Sequence, residues 1–482
     1  MKKCLAFLLI CTLMVSAFLY AVAETHTSGD WQYIILEDGT AEIVKYYGNQ
    51  KKLIIPESLD GHIVSCIGDD AFFGSEYFNE VTIPDSITDI GANPFRYFTS
   101  VSRINVSPDH PYLAVIDGVL FSKPDKRMIC YPGAFTASEY TIPQGIKIIG
   151  ESAFGRNSNL TKVNIPDSVT AIDDHAFEMC DSLPAITIPE SVTDIGAGAF
   201  SACEALIYII LPDSVTSIGD GVFSGCTSLK KVTIQGGITA ISERAFESCM
   251  LLTDVYLPDS VTVIGNSAFL KCEAMSKITI PAGVVTIGDG AFESCIYMAQ
   301  VNLPDSVTNI GSNPFLNCYS LKQIIVSPDH QYLETIDGVL FSKPDKRLVS
   351  YPKGFTASDY TVPQGTKVIG KNAFSHCSGL AEIILPDSLT EIGDYAFDYC
   401  SDLSEINLPD SLTKIGDYAF LNCKSLTKLT IPDSVTAIGH EAFKKCSEDL
   451  TITVGRGSRA EQYCKVNGII YMFPDSNDWL NN

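Results

Sequence analysis

The apolar positions of this chain recur at a fixed step. A phenylalanine, usually preceded by alanine, falls at Phe72 and Phe95, then at Phe154, Phe177, Phe200, Phe223, Phe246, Phe269, Phe292 and Phe315, then at Phe374, Phe397, Phe420 and Phe443; within each run the step is 23 residues. One unit, residues 211–234, reads LPDSVTSIGDGVFSGCTSLKKVTI. Self-similarity at a period of about 20 to 29 with fixed apolar offsets is the mark of a leucine-rich solenoid. In Leu229-x-x-Val232-x-Ile234 the alternation and the β-branched residues predict a short strand. Such a strand cannot bury its own face, so it must stack about 4.8 Å from its copies in a parallel sheet over a shared core. Pro212-Asp213-Ser214 then closes a turn, because proline presets φ and Asp or Ser can bond nearby backbone. Val215-Thr216-x-Ile218 gives a second extended piece, and Gly219 is expected to need positive φ. Residues 220–226 are too few for an ordinary helix and are expected to make one helical or 3₁₀ turn that drops Phe223 into the core.

The units Ile-Gly-x-x-Ala-Phe-x-x-Cys-x-x-Leu-x-x-Ile-x-Ile-Pro, for example residues 195–203 followed by 206–212, closely resemble those of BspA-type leucine-rich-repeat proteins, whose repeat also occurs in a treponemal surface antigen. The resemblance covers nearly all of the chain after residue 30. It implies a secreted or surface-displayed bacterial-type protein used for adhesion or binding, with no enzymatic activity in the solenoid. The expected fold class is a repeat solenoid of 23-residue leucine-rich repeats with short parallel β-strands and helical or 3₁₀ turns. An N-terminal β-hairpin region and a C-terminal helix–strand segment are expected to cap it.

Residues 1–23 have Lys2 and Lys3, an apolar run and Ala21-Val22-Ala23, which reads as a secretory signal peptide cleaved near Ala23. An uncleaved anchor is disfavoured by that site, and a lipoprotein reading at Cys11 by the bulk of Ile10. Residues 24–66 are read as the N-terminal cap, with a hairpin turning at Asp38-Gly39. The solenoid is placed at 67–450 and the C-terminal cap and tail at 451–482, with a short helix begun at Ser458 and ended by Gly468. No membrane anchor is visible in the mature chain. The step breaks twice, between Phe95 and Phe154 and between Phe315 and Phe374, each time by 59 residues, 36 more than the step. Both breaks hold nearly the same sequence and are read as hairpin inserts near 107–140 and 327–360, projecting from or packed against the stack, with exposed tips at 123–126 and 343–346.

Charge and cysteine narrow the function. The formal charge is -24, and -26 once two lysines leave with residues 1–23, which disfavours nucleic acid and anionic membranes and would steer a basic ligand toward the protein. The Asp of Pro-Asp-Ser, from Asp85 to Asp433, is read as turn chemistry ahead of calcium binding, since no dense Asp-x-Asp-x-Asp loop occurs. Of sixteen cysteines, eleven lie three residues after a repeat Phe and are expected to form a column of mostly free, buried thiols. No cofactor is called for, and zinc is disfavoured because no C-x₂-C pair occurs. No H-E-x-x-H, G-x-S-x-G or P-loop pattern occurs, and the recurrence of His110 and His330 is explained by duplication with a structural role.

Interaction is the better hypothesis, toward an extracellular or host protein, with glycan as the weaker option. Positions eight and ten after each Phe should face outward from the sheet. Most are small and polar, but Tyr208, Ile210 and Tyr256, flanked by Lys231, Thr233, Asp254 and Lys277, have the composition of a binding hot spot. Ordinary packing between sheet neighbours is the competing explanation. A spacer with no ligand of its own, or an enzyme using His110 or His330 in the inserts, are the alternatives from other classes.

Overall fold

A computed structural model describes residues 24–73, 77–96 and 99–474, so the signal-peptide expectation at 1–23 and the last eight residues lie outside it. The chain winds as a β-solenoid in which most 23-residue coils contribute two short strands to two different ladders. In the coil around Phe223 these are Ser217–Ile218, paired parallel to Asp194–Ile195, and Lys231–Ile234, paired parallel to Tyr208–Leu211 and Asp254–Tyr256. Pro212-Asp213-Ser214 closes a turn with Val215 N–H on the Pro212 carbonyl at 3.1 Å. Inside, repeat phenylalanines stack face to face, Phe154 through Phe315, with centroids 4.8–5.8 Å apart. Each such contact adds about 0.5–1.5 kcal/mol beyond the area it buries.

The segment between the strands differs from the expected helical or 3₁₀ turn. Ala199, Ser201 and Cys203 donate back to Gly196, Gly198 and Phe200, but Gly198, Phe200 and Ala202 donate forward to Asp220, Val222 and Ser224 of the next coil at 2.7–2.9 Å. The residues two before and two after the Phe are left-handed, for example Gly198 (φ 58) and Ala202 (φ 55), so the chain makes successive turns and never winds a helix. This geometry directs alternate N–H groups into the neighbouring coil and leaves none of these donors to water. The expected positive φ at Gly219 is absent. Its small size is needed for another reason: a Cβ there would clash with the backbone nitrogen of Ala197, so the coils could not approach.

The thiol column is present and more polar than a row of small apolar groups. Cys180, Cys203, Cys226, Cys249, Cys272, Cys295 and Cys318 each direct Sγ at the carbonyl of the Phe one coil earlier, 3.1–3.4 Å away. Cysteine is thus small enough for the column and still satisfies a buried oxygen. All fourteen cysteines among the described residues are free. A second column was not anticipated: the side chains of Asp174, Asp220, Asn266, Asp289, Asp394 and Asp417 each accept from a backbone N–H of the next coil at 2.6–3.1 Å.

The inserts are built into the stack and do not project as hairpins. Tyr131 and Tyr351 occupy the aromatic position of a coil, each 23 residues before the next Phe, with ring centroids 5.3 and 5.2 Å from Phe154 and Phe374. Each 59-residue break is therefore one 36-residue coil followed by an ordinary one. The long coil carries a three-stranded antiparallel meander, Leu113–Ile116, Val119–Ser122 and Arg127–Cys130, or Leu333–Ile336, Val339–Ser342 and Arg347–Ser350. Its first turn has Asp117 (φ 50) and Gly118 (φ 82), or Asp337 (φ 51) and Gly338 (φ 80), the two left-handed residues of a type I′ hairpin. The last strand joins the parallel ladder at Ile148–Ile149 or Val368–Ile369.

Both faces of each meander are buried. Leu113, Leu120 and Ile129 pack into one core, while Val119, Phe121 and Met128 pack into the next. Likewise Leu333, Leu340 and Val349 face one side, and Val339, Phe341 and Leu348 the other. The meanders are cross-walls that divide the hydrophobic interior into three compartments. At the chain's ends, Thr25–Ser28, Trp31–Ile35 and Ala41–Tyr46 form an antiparallel sheet joined to His62–Ile67. The helix Arg459–Asn467, capped by Ser458 and by left-handed Gly468 (φ 67), precedes the final strand Ile470–Met472.

Candidate binding surface

The sheet face predicted to carry recognition is a three-stranded ladder, Tyr208–Leu211, Lys231–Ile234 and Asp254–Tyr256. Its register sets Tyr208, Lys231 and Asp254 in one row and Ile210, Thr233 and Tyr256 in the next, while Ile209 and Val232 between them are fully buried. Alternation therefore drives one set inward and forces the other out. The outward set is apolar where water would favour polar groups: Tyr208 is 49%, Ile210 47% and Tyr256 58% exposed. Lys231 and Asp254 form a 3.5 Å ion pair across the middle of the first row. Both are more than half exposed, so the pair adds at most about 1 kcal/mol.

Lys277 does not join this group. The residues after Met275 make no strand, and the ladder ends at Asp254–Tyr256, so Lys277 is exposed on the following coil outside the register. On the other edge Ala185 keeps a single parallel bridge to Tyr208. Sequence reasoning missed Ile207, 43% exposed immediately before the first strand, and Met250 and Leu251, 40% and 46% exposed on the approach to the third. The signal was available: Met250 and Leu251 stand where the preceding coil has Thr227 and Ser228.

The insert histidines have no access to a substrate. His110 and His330 are buried to 0% and 1% exposure. Nδ1 of each accepts two backbone N–H groups, from Tyr112 and Leu113 at 3.2 and 3.0 Å, or from Tyr332 and Leu333 at 3.1 Å each. That leaves Nε2 to donate to the Pro84 or Pro304 carbonyl at 3.1 or 3.2 Å. Each ring is a spacer that ties the start of a meander to the turn of the preceding coil. Buried thiols are equally unreactive, since loss of solvation pushes Cys203 and Cys318 up to about 12. The insert tips are mostly exposed, with Lys343 partly covered.

A family model described as the BspA type leucine-rich repeat region matches residues 43–123, 128–253, 239–357 and 353–459. The chain belongs to the BspA-type leucine-rich-repeat family. One matched segment spans the second cross-wall, and two others meet across residues 124–127 of the first, so the long coils are part of this BspA-type array. Among solved structures, the chain is similar to a leucine-rich cell surface protein from Faecalibacterium prausnitzii, at 26% identity over 95% of this chain and 97% of that one, with a TM-score of 0.48. It is also similar to a leucine-rich-repeat protein from Bacteroides ovatus, at 26% identity over 93% and 99% of the two chains with a TM-score of 0.45. The leucine-rich-repeat protein of T. pallidum matches at 24% identity over 52% of this chain and 91% of that one, with a TM-score of 0.26. No curated protein sequence matches. Among the described residues of this BspA-type chain, no helix is long and apolar enough to cross a membrane.

Proposed function

We propose that this BspA-type protein is secreted or displayed at the cell surface and binds an extracellular or host protein without catalysing a reaction on it. The observation that carries the reading is the row of Tyr208, Ile210 and Tyr256 standing exposed on a ladder whose backbone is rigidly paired. Large aromatic and aliphatic groups fixed on a flat surface lose little entropy on binding, and those ringed by polar side chains are the usual hot spots of protein interfaces. Lys231, Thr233 and Asp254 supply that ring here. The basic start and Ala21-Val22-Ala23 site of residues 1–23 support export.

The test is binding of the purified protein to an array of extracellular-matrix proteins, beside a Tyr208→Ala, Tyr256→Ala double variant. Saturable binding that the variant loses, with its circular dichroism unchanged, is the expected result. Binding that persists in the folded variant removes the sheet from the account, and no binding to any protein replaces it with a spacer.

A further inference from the structure

The two cross-wall coils are offset by 220 residues and nearly identical in sequence, and the second has an open cavity where it meets the following coil. In the second copy this cavity, about 190 Å³, is lined by Tyr319, Lys353, Phe355, Thr356, His376 and Ser378 among others. The described residues of the first copy differ there. There Asn159 reaches across to donate to the Phe135 carbonyl at 3.0 Å, and Gly133 stands where the second copy has Lys353. The residue corresponding to Asn159 is Gly379, and a Cβ added there would meet nothing within 4 Å. The second copy thus has no side chain at the Asn159 position, and has Lys353 in place of Gly133 and His376 in place of Arg156.

The cation is held in place. Lys353 Nζ donates to Asn317 Oδ1 at 3.1 Å and lies 4.4 Å from the centre of the Tyr319 ring. No carboxylate is among the lining residues, although the chain as a whole carries a net charge of -24. Behind the opening, His376 stacks on Tyr399 with centroids 4.5 Å apart and planes 4° from parallel. Both sit at left-handed backbone positions, φ 60 and 53, where an exposed tyrosine is an unfavourable choice on backbone grounds alone. Burial and the nearby Lys353 charge hold His376 below the usual imidazole range, so it presents a neutral ring with one donor and one acceptor.

We infer that this cavity binds one anionic sugar residue, a hexose ring bearing a carboxylate, with the carboxylate on Lys353 and the ring's C–H face against Tyr319 or Phe355. The volume is below the roughly 300 Å³ at which pockets for drug-sized ligands begin, so a single ring is the size it admits. Aromatic faces suit the apolar face of a sugar, and the Thr356 and Ser378 hydroxyls offer both donors and acceptors to its rim. Asp398 lies close enough to Lys353 to share its field, but no carboxylate lines the cavity, so the ammonium there selects an anion by local contact while the long-range field opposes it. This site is separate from the Tyr208 sheet and does not rest on that reading.

The experiment is calorimetric titration of the purified protein with trigalacturonic acid, with galactotriose and a tetraglutamate peptide as comparators. The uronate is expected to bind saturably, and Lys353→Met to weaken it by about tenfold or more, the loss of one charge contact. Gly379→Asn, which places there the asparagine of the first copy, is expected to abolish binding in a fold that has room for it. The Tyr208→Ala, Tyr256→Ala variant should bind the uronate as the parent does. Equal binding of galactotriose, equal affinity in a folded Lys353→Met, tetraglutamate binding as tight as the uronate, or no uronate binding at all would each overturn the assignment.

Discussion

The two cross-walls share a sequence plan and differ at their rims, and the difference separates what the fold demands from what it leaves free. Inside, the copies are alike: His110 and His330 make the same three hydrogen bonds, and Asn93 and Asn313 reach to the Ser152 and Asn372 carbonyls at 2.8 and 2.7 Å. At the rim they part. The first copy has Arg96 within 3.8 Å of both Glu151 and Glu178, and His175 within 3.5 Å of Glu178. In the second, Leu316, Lys371, Asp398 and Tyr395 stand at those positions, and a cavity opens at the junction. A meander buried on both faces cannot vary without unpaired polar groups or voids, whereas the junction beside it can.

The largest effect that would probe this comparison is in the wall itself. Phe341→Ala should cost about 3–5 kcal/mol, and hydrogen exchange should show protection lost first on the C-terminal side, whose core Phe341 fills. Equal loss in all three compartments would mean that the wall does not divide the core. Next, His110→Ala and His330→Ala should each cost about 2–3 kcal/mol in denaturant unfolding, because each strands two backbone donors and an acceptor. Markedly unequal losses would break the equivalence of the copies.

A smaller effect distinguishes them through pH. Burial raises Asp398 to about 6, against a partly offsetting hydrogen bond from Asn422 and the charge of Lys353. A carboxyl whose folded pKa is raised binds its proton more tightly folded than unfolded, so stability is lost as pH climbs from about 4 to 6. Asp398→Asn should therefore raise stability by about 1–2 kcal/mol at pH 7.5 and change it little below pH 4, as thermal unfolding at the two pH values would show. The smallest expected effect is Gly379→Asn, within about 0.5 kcal/mol of the parent, since nothing crowds that position. A large loss there would mean that the two junctions differ in backbone and not only in side chains.

The periodicity of Phe, Cys and Leu exposed the solenoid, the stacked core and the free thiols, because a period can be read without knowing which way the chain turns. The cross-walls were harder to see. Tyr131 and Tyr351 hold the aromatic position, but a search for Phe steps over them and so counts one long gap where there are two coils. The αL residues beside each Phe are hidden because Ala202, Lys271 and Tyr399 are not residues that announce positive φ. Glycine at 219 suggests positive φ, but its role is clearance from Ala197, a contact 22 residues away that only stacking creates. Of the sheet patch, Tyr208, Ile210, Lys231, Thr233, Asp254 and Tyr256 share one ladder as the alternation implies. Lys277 falls outside because the ladder stops, which local alternation does not encode.

The thiol column sets a race during folding. In an oxidising compartment each new coil exposes a cysteine that can be captured by any other, and nothing in an evenly spaced ladder favours one pairing. Closing loops about as long as one coil takes well under a millisecond, while uncatalysed oxidation takes seconds to hours. The contacts that shelter each sulfur come from the coil immediately before it, as in Cys226 on Phe200, so shelter arrives as soon as two neighbours have met. Low contact order would therefore let a chain of this kind cross an oxidising compartment with so many thiols and not cross-link itself, and a pause in winding is when it would be most exposed to that fate.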